Sequence, residues 1–514
     1  MPASIFAQTS TSKGNMRFIS FIFFIISLNA AEKNIIFIIT DDQSPDLACY
    51  GNKIAVTPHL DAIAKDGTLF LNAFATTASC SASRSVVMSG LHNHKNGLYG
   101  HTHHYHKFDA YYDVISLSLP RVLANEGYRT IQIGKYHVAP EEVFRFDTYL
   151  KANPRNPVAM AKKCEAIIKE KSDKPFFIYF ATSDPHRGGG KDQNFTGKLK
   201  PDLFGNLKDK GHYKGVKEVF YDPAKVPVPG FLPDTPESRS ELAQYYQSCS
   251  RIDQGVGELV RILKEADLYD KTLIVFTADH GMAFAGAKTS VSEAGLKVPF
   301  IVRNPYEKKR GIVSKALLSH VDITSSLLDF AGGLDHKKNS PKKWQDPSVY
   351  WKDKDYVKKE NRNGRQKFTK YQGKSWLNIL AQEDSKEHHT IYASHTFHEI
   401  QMYYPMRVVR DHKYKLIWNI AWQLPYPFAS DLWASSTWQA QLAKGQDAMY
   451  GPRTVRNFVQ RPKFELYEID KDPHESKNLA SEPEYKDILL KYQEKLKEFQ
   501  IKANDPWVMK WKYE

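Results

Sequence analysis

A chain of 514 residues with 41% hydrophobic and 25% charged residues can bury a large core, which excludes wholesale disorder. Lys and Arg outnumber Asp and Glu by 72 to 58, a formal net charge of +14. The excess favours an acidic partner, but the basic residues are scattered rather than gathered into an arm or helix, so another polyanion accounts for the charge as well as a nucleic acid does.

The first thirty or so residues read as an export leader. A mostly polar stretch precedes Met16-Arg17, the apolar run Phe18 to Leu28 and the small pair Ala30-Ala31. The run is short for a membrane span and has the layout of a secretory signal cleaved near Ala30, with translation starting at Met16. The alternative is an uncleaved anchor. No second hydrophobic run follows, so the mature protein is expected to be exported, periplasmic or secreted, with no stable membrane span. The cysteines are Cys49, Cys80, Cys164 and Cys249; with one committed to chemistry an odd number remains, which argues against a disulfide framework and leaves room for one bridge at most.

Asn34 to Thr40 (NIIFIIT) is a continuous β-branched run and predicts a parallel strand buried on both faces, delivering Asp41-Asp42 at its C-terminal edge. In Ser79 to Gly90, small polar residues lead into a mostly apolar turn that Gly90 stops, which predicts a loop entering a short helix. Cys80 then stands near the helix N-terminus, where unpaired N–H groups favour an anion, and Arg84 lies four residues on along the same face. A lone cysteine would read as a small buried hydrophobe. Beside a fixed positive charge it reads as a nucleophile for a sulfate or phosphate group.

Further strands are predicted at Arg129 to Ile133, Pro175 to Ala181, Thr272 to Thr277 and Val298 to Arg303, and helices at Leu117 to Glu126, Pro157 to Lys169, Ser238 to Ala266 and Asp322 to Phe330. This alternation implies an α/β fold with a mostly parallel sheet and helices on both faces. Arg187 to Thr235, rich in Gly, Pro, Asp and Lys, reads as surface loops, and the Lys-rich stretch His336 to Lys370 as an excursion or linker. Beyond it, Thr390 to Ser394, Met406 to Asn419 and Phe464 to Ile469 read as strands of a smaller sheet, and Glu484 to Lys502 as a terminal helix. The expected organisation is a leader over 1–30, a catalytic domain over 31–385 and a smaller α+β domain over 386–514.

A second strand end, Ala278-Asp279-His280-Gly281, brings another carboxylate to the edge that carries Asp41 and Asp42. Any one of these aspartates reads as a turn or cap; together they can surround one hard cation, Ca²⁺ or Mg²⁺ rather than zinc. Gly134-Lys135-Tyr136-His137 and Ser183-Asp184-Pro185-His186-Arg187 each follow their own strand, and Lys288 falls nine residues after Asp279.

These segments resemble the type I sulfatase family. The stretch from Cys80 through Ala82, Ser83 and Arg84 to Ser89-Gly90 is similar to its Cys-x-Pro/Ala-Ser-Arg signature, with Ser89 where Thr is usual. The resemblance runs from about Asn34 to the C-terminus. Through Gly90 to Gly100, Arg251 to Gly257, His398-Glu399, Tyr404 to Arg407, Asp472 to Glu475 and Asp505 to Trp507 it is nearest to N-sulfoglucosamine sulfohydrolases and exported bacterial polysaccharide sulfatases, some active on algal ulvan. It implies an alkaline-phosphatase-like sulfatase fold. It also implies that Cys80 is converted to formylglycine by a formylglycine-generating enzyme or an anaerobic maturase, and that Ca²⁺, with Mg²⁺ as the alternative, is held by Asp41, Asp42, residue 80, Asp279 and His280, the last where Asn is usual.

By the same resemblance, hydrated formylglycine at position 80 attacks sulfur with help from Asp279 and the metal, and Arg84, Lys135 and Lys288 neutralise the sulfuryl oxygens. His186 protonates the leaving group, and His137 accepts the proton that lets sulfate depart. His104, Arg187, His398 and Arg407 are candidate sugar contacts, and the other histidines between His92 and His106 read as pocket-rim loop residues, since their spacing fits no standard zinc site. The expected partner is a sulfated oligosaccharide or polysaccharide and not a nucleic acid. A sulfamate on glucosamine is the first reading of the bond cleaved and an O-sulfate on a polysaccharide such as ulvan the second. A phosphate or phosphonate ester hydrolase of the same superfold, or a non-catalytic binder of heparin-like chains, belongs to other classes.

Overall fold

A computed structural model describes residues 33–102, 108–188, 204–207, 212–345 and 368–513. The leader and His104 lie outside the described residues, as do much of 187–235 and most of the Lys-rich excursion. Nine strands form the main sheet: β1 (Asn34–Thr40), β2 (Thr68–Phe74), β3 (Arg129–Gly134), β4 (Thr148–Leu150), β5 (Phe176–Ala181), β6 (Thr272–Ala278), β7 (Lys297–Val298), β8 (Phe300–Arg303) and β9 (Ile312–Ser319). Their order is β4-β3-β5-β1-β6-β8-β2-β7, with β9 paired to β2. β1 runs parallel to both β5 and β6, and β8 is antiparallel to both β6 and β2.

The run in β1 is apolar throughout because both of its faces are covered. Ile35, Phe37 and Ile39 enter a core completed by the helices Cys80–Ser89 (α2), Leu119–Asn125 (α3) and Asp322–Ala331 (α6). Ile36 and Ile38 enter a second core, on the other face, with Pro58–Lys65 (α1), Pro157–Lys169 (α4) and Pro236–Glu265 (α5). In the Arg251 to Gly257 stretch, a Cβ on Gly255 would lie 2.3 Å from Cβ of Pro157, so glycine there lets α5 cross close to the start of α4. Asp253 accepts from the N–H groups of Leu60 and His59 at the start of α1.

A four-stranded antiparallel sheet follows, in the order β10 (Thr390–His395), β11 (Met406–Asp411), β12 (Tyr414–Asn419), β13 (Phe464–Glu468). The expected single strand over Met406 to Asn419 is thus a hairpin. Alternation sorts its faces: Met406, Val408 and Ile417 pack toward the main sheet, while Val409, Leu416 and Trp418 pack under the terminal helix Lys486–Ala503 (α7). All four cysteines are free. No described helix is long and apolar enough to cross a membrane.

Candidate active site

Register aligns the strand ends. Thr40 stands opposite Ala278, Ile39 opposite Ala181, and Ala181 opposite Gly134, so the residues after β1, β3, β5 and β6 emerge at one edge. Gly134 has φ 88°, and a Cβ there would lie 2.0 Å from the Ala181 carbonyl oxygen; only glycine makes this turn, and it aims Lys135 inward. Asp42 holds a left-handed φ of 58° and donates its N–H to Asp279 Oδ1 at 2.9 Å. Such backbone is uncommon for a residue with a side chain and clusters at functional sites.

α2 begins at Cys80 and ends at Gly90 in the left-handed conformation. Cys80 is fully buried, with Sγ 3.7 Å from Asp42 Oδ1 and 3.4 Å from His280 Nε2. Potential ligand atoms of Asp41, Asp42, Cys80 and His186 lie within 4.8 Å of one another, as do those of Cys80, Asp279 and His280. His280 Nε2 is 3.1 Å from Asp42 Oδ1, and its Nδ1 sits 3.0 Å from the Gly281 carbonyl, an acceptor that leaves Nε2 as the lone pair facing the cluster. Three carboxylates and one imidazole around a buried point fit a hard divalent cation, with the nitrogen as the softest donor.

The cations interleave with these carboxylates. Lys135 Nζ is 2.5 Å from Asp41 Oδ2, and Lys288 Nζ is 3.0 Å from Asp42 Oδ2 and 3.0 Å from His186 Nε2. Burial alone would raise the Asp41 carboxyl, but Lys135, His186 and Arg84 outweigh it and hold it well below the usual range. Burial and the neighbouring Asp41 push Asp279 up to about 6. Burial, reinforced by Lys288, brings His186 down to about 4, and burial pushes the Cys80 thiol well up.

The expected residues do not all stand where the sequence placed them. Arg84 is wholly buried and bonds Asp41 Oδ1 at 3.1 Å and Asp279 Oδ2 at 3.1 Å, with Tyr179 Oη at 3.3 Å. Its position makes it the brace of the two carboxylates. Arg187 is no sugar contact, being buried between the Phe204 and Phe284 rings and bound by Glu241 at 2.7 and 3.1 Å. Arg407 is likewise consumed by Asp505 at 2.6 and 3.0 Å and stacks on Trp507. His92 and His94 are not rim residues; they are buried, stacked on each other and set against Phe499 of α7.

His398 does reach the site, its Nδ1 3.1 Å from Ser79 Oγ and its ring 3.7 Å from that of His101, which in turn meets His137 at 5.0 Å. His137 is thus placed at the end of a histidine row beside the start of α2. Sequence reading missed Asp431, whose carboxylate lies 2.8 Å from Lys288 Nζ, because it falls in a stretch with no periodicity. It also missed Tyr179; a phenol within the apolar FFIYFA strand was the available signal.

Comparison with known proteins agrees with this geometry. The profile of the Sulfatase family matches residues 33–334. The chain is 33% identical to the N-sulphoglucosamine sulphohydrolase of Homo sapiens, covering 93% of this chain and 92% of that one, and 28% identical to an ulvan-active sulfatase of Formosa agariphila, covering 88% and 77%. A solved structure of a protein with its substrate D-glucosamine-2-N,6-O-disulfate shares the fold, with a TM-score of 0.61 at 20% identity over 92% of this chain and 99% of that one. Strand ends that gather aspartates, lysines and a signature cysteine at one buried point, in a chain matched along nearly its whole length, establish that this protein is an enzyme of the sulfatase family.

Proposed function

We propose that the protein removes the N-linked sulfate of glucosamine residues in sulfated glycans. The observation that carries this is the 33% identity to an N-sulphoglucosamine sulphohydrolase, which extends over 93% of this chain and so includes the segments around His398 and Asp431 as well as the sheet edge. An O-sulfatase acting on a polysaccharide such as ulvan is the second reading, supported by the Formosa relative. In either case the chain is taken to be exported through the segment before Ala31, with 31–385 as the catalytic domain and 386–514 closing the pocket.

Cys80 is the residue that family members carry as formylglycine, whose hydrate supplies a geminal hydroxyl as nucleophile, and a calcium or magnesium ion held by Asp41, Asp42, Asp279 and His280 supplies Lewis-acid polarisation at the sulfuryl group. The chain's own groups do the rest. Arg84 fixes Asp41 and Asp279, so that the carboxylates cannot turn when substrate enters. Lys135 and Lys288, paired with Asp41 and Asp42, hold positive charge close to residue 80, where the oxygens of a sulfuryl group would lie. His186, a quarter exposed, accepts an N–H of Lys288 at its Nε2, so the lysine–histidine pair holds the proton and the position from which it reaches the leaving nitrogen or oxygen.

The test is sulfate release from N-sulfated glucosamine, 6-O-sulfated glucosamine, 2-O-sulfated uronate and sulfated ulvan oligosaccharides, with residue 80 verified by mass as formylglycine. Release confined to the N-sulfated compound is expected. Release from only an O-sulfated sugar would replace the first reading by the second.

A further inference from the structure

The segment from Tyr426 to Thr437, remote in sequence from every strand end of the main sheet, touches the catalytic edge at three successive places. Tyr426 Oη donates to the carbonyl of Thr289, the residue after Lys288, at 2.7 Å. Asp431 Oδ2 accepts from Lys288 Nζ at 2.8 Å. Ser436 donates its N–H at 2.8 Å and its hydroxyl at 2.7 Å to Glu241, the same carboxylate that grips Arg187, the residue after His186.

Lys288 shows why the middle contact matters. An ammonium has three N–H donors. Here they meet three acceptors: Asp42 Oδ2 at 3.0 Å, His186 Nε2 at 3.0 Å and Asp431 Oδ2 at 2.8 Å. Two of these acceptors belong to the sheet edge; the third comes from 143 positions further along the chain. Asp431 is itself held, since its Oδ1 accepts the N–H of Leu432 at 3.0 Å, and the neighbouring Leu432 is buried in the core between the two sheets. Without the third acceptor, Lys288 is free to swing about its four-carbon stem, and the lysine–histidine contact loses its fixed geometry.

We propose that Asp431 is a positioning residue for departure of the leaving group: it locks Lys288 against His186, so that the C-terminal part of the chain sets the alignment of the pair. This rests on the reading of His186 as the residue that serves the leaving group. It makes a specific demand on rates, because a leaving group that needs a proton depends on the alignment, whereas one that departs as a stable anion needs only the positive charge of Lys288 beside the sulfuryl group, which Asp42 still holds there.

The experiment compares Asp431→Ala and Asp431→Asn with the parent enzyme on 4-nitrophenyl sulfate and on whichever sulfated sugar of the panel the parent hydrolyses, so that an error in the sugar assignment leaves this test intact. For Asp431→Ala, kcat on the sugar should fall roughly 100-fold, the scale of a misplaced catalytic group, against less than about 5-fold on the aryl sulfate. Asp431→Asn keeps an oxygen acceptor and should fall about 10-fold on the sugar with the aryl rate unchanged; if the alanine variant does not fold, this selective loss decides alone. Equal loss on both substrates, no loss on either, or a change confined to KM would overturn the proposal.

Discussion

Two buried charge networks in this protein are built on different plans. On the face of the small sheet turned to the main sheet, Glu293 takes Arg410 at 3.1 Å and Lys415 at 3.2 Å and Glu475 takes Lys415 at 2.7 Å, and on its opposite face Arg407 and Asp505 close on each other through two parallel bonds. At the strand edge Asp41, Asp42 and Asp279 face Arg84, Lys135 and Lys288, but Asp42 Oδ1 points at His280 Nε2 and Cys80 Sγ instead of a lysine or arginine. A network built to hold elements together saturates its carboxylates with cations. The catalytic one leaves carboxylate oxygen directed at an imidazole nitrogen and a thiol, which is where a cation and a substrate anion can enter.

That contrast can be broken by substitution, the largest effect first. Cys80→Ala or Asp42→Asn should abolish turnover, by more than about 10⁴-fold in kcat, while leaving the denaturation midpoint close to that of the parent; sulfate release together with a urea melt reads both. Asp505→Ala should do the reverse. Stranding the buried Arg407 guanidinium is expected to cost about 3–5 kcal/mol of stability, with kcat of the folded fraction within about twofold.

Divalent cation should separate the two networks next. Adding Ca²⁺ at about 100 times its Kd should stabilise the parent by about 2.7 kcal/mol, and chelation should reverse this, whereas Asp42→Asn should show little of the shift; a midpoint indifferent to Ca²⁺ and Mg²⁺ would remove the metal from the site. The smallest effect concerns His92 and His94. Burial first, then the charge each would place on its neighbour, lowers His92 to about 3; burial lowers His94 to about 4. Between those values and 6.5 the unfolded chain binds more protons than the folded one, so stability is fully present above about pH 6.5 and falls as pH drops. From pH 7.5 to 5.5 each histidine should cost about 1.4 kcal/mol, and His94→Gln should shrink the measured drop by about that amount.

Much of the fold was legible because burial on two faces leaves no ambiguity of pattern. The expected and observed bounds of β1 coincide, and those of α4 do too, where Pro157 follows the capping Asn156. β2 and β9 were not read, since Asn72 and Lys315 interrupt their apolar runs. The turn that splits Met406 to Asn419 was signalled by Asp411, whose carboxylate accepts the N–H groups of Lys413 and Tyr414. In the site, residues that follow strands were legible because strand ends share an edge. The fates of Arg187 and Arg407 were not, since Glu241 and Asp505 lie 54 and 98 positions away and nothing local announces a partner.

The depth of residue 80 also bears on the order of events in the life of this chain. Its side chain is closed in by β1, β6 and the first turn of α2, with no surface left to solvent. On the proposal that Cys80 becomes formylglycine, the enzyme that converts it must meet that side chain while the polypeptide is still open. A batch made where that enzyme is absent would fold, melt and scatter light like the active protein, and only its mass and its silence toward sulfate esters would tell the two apart.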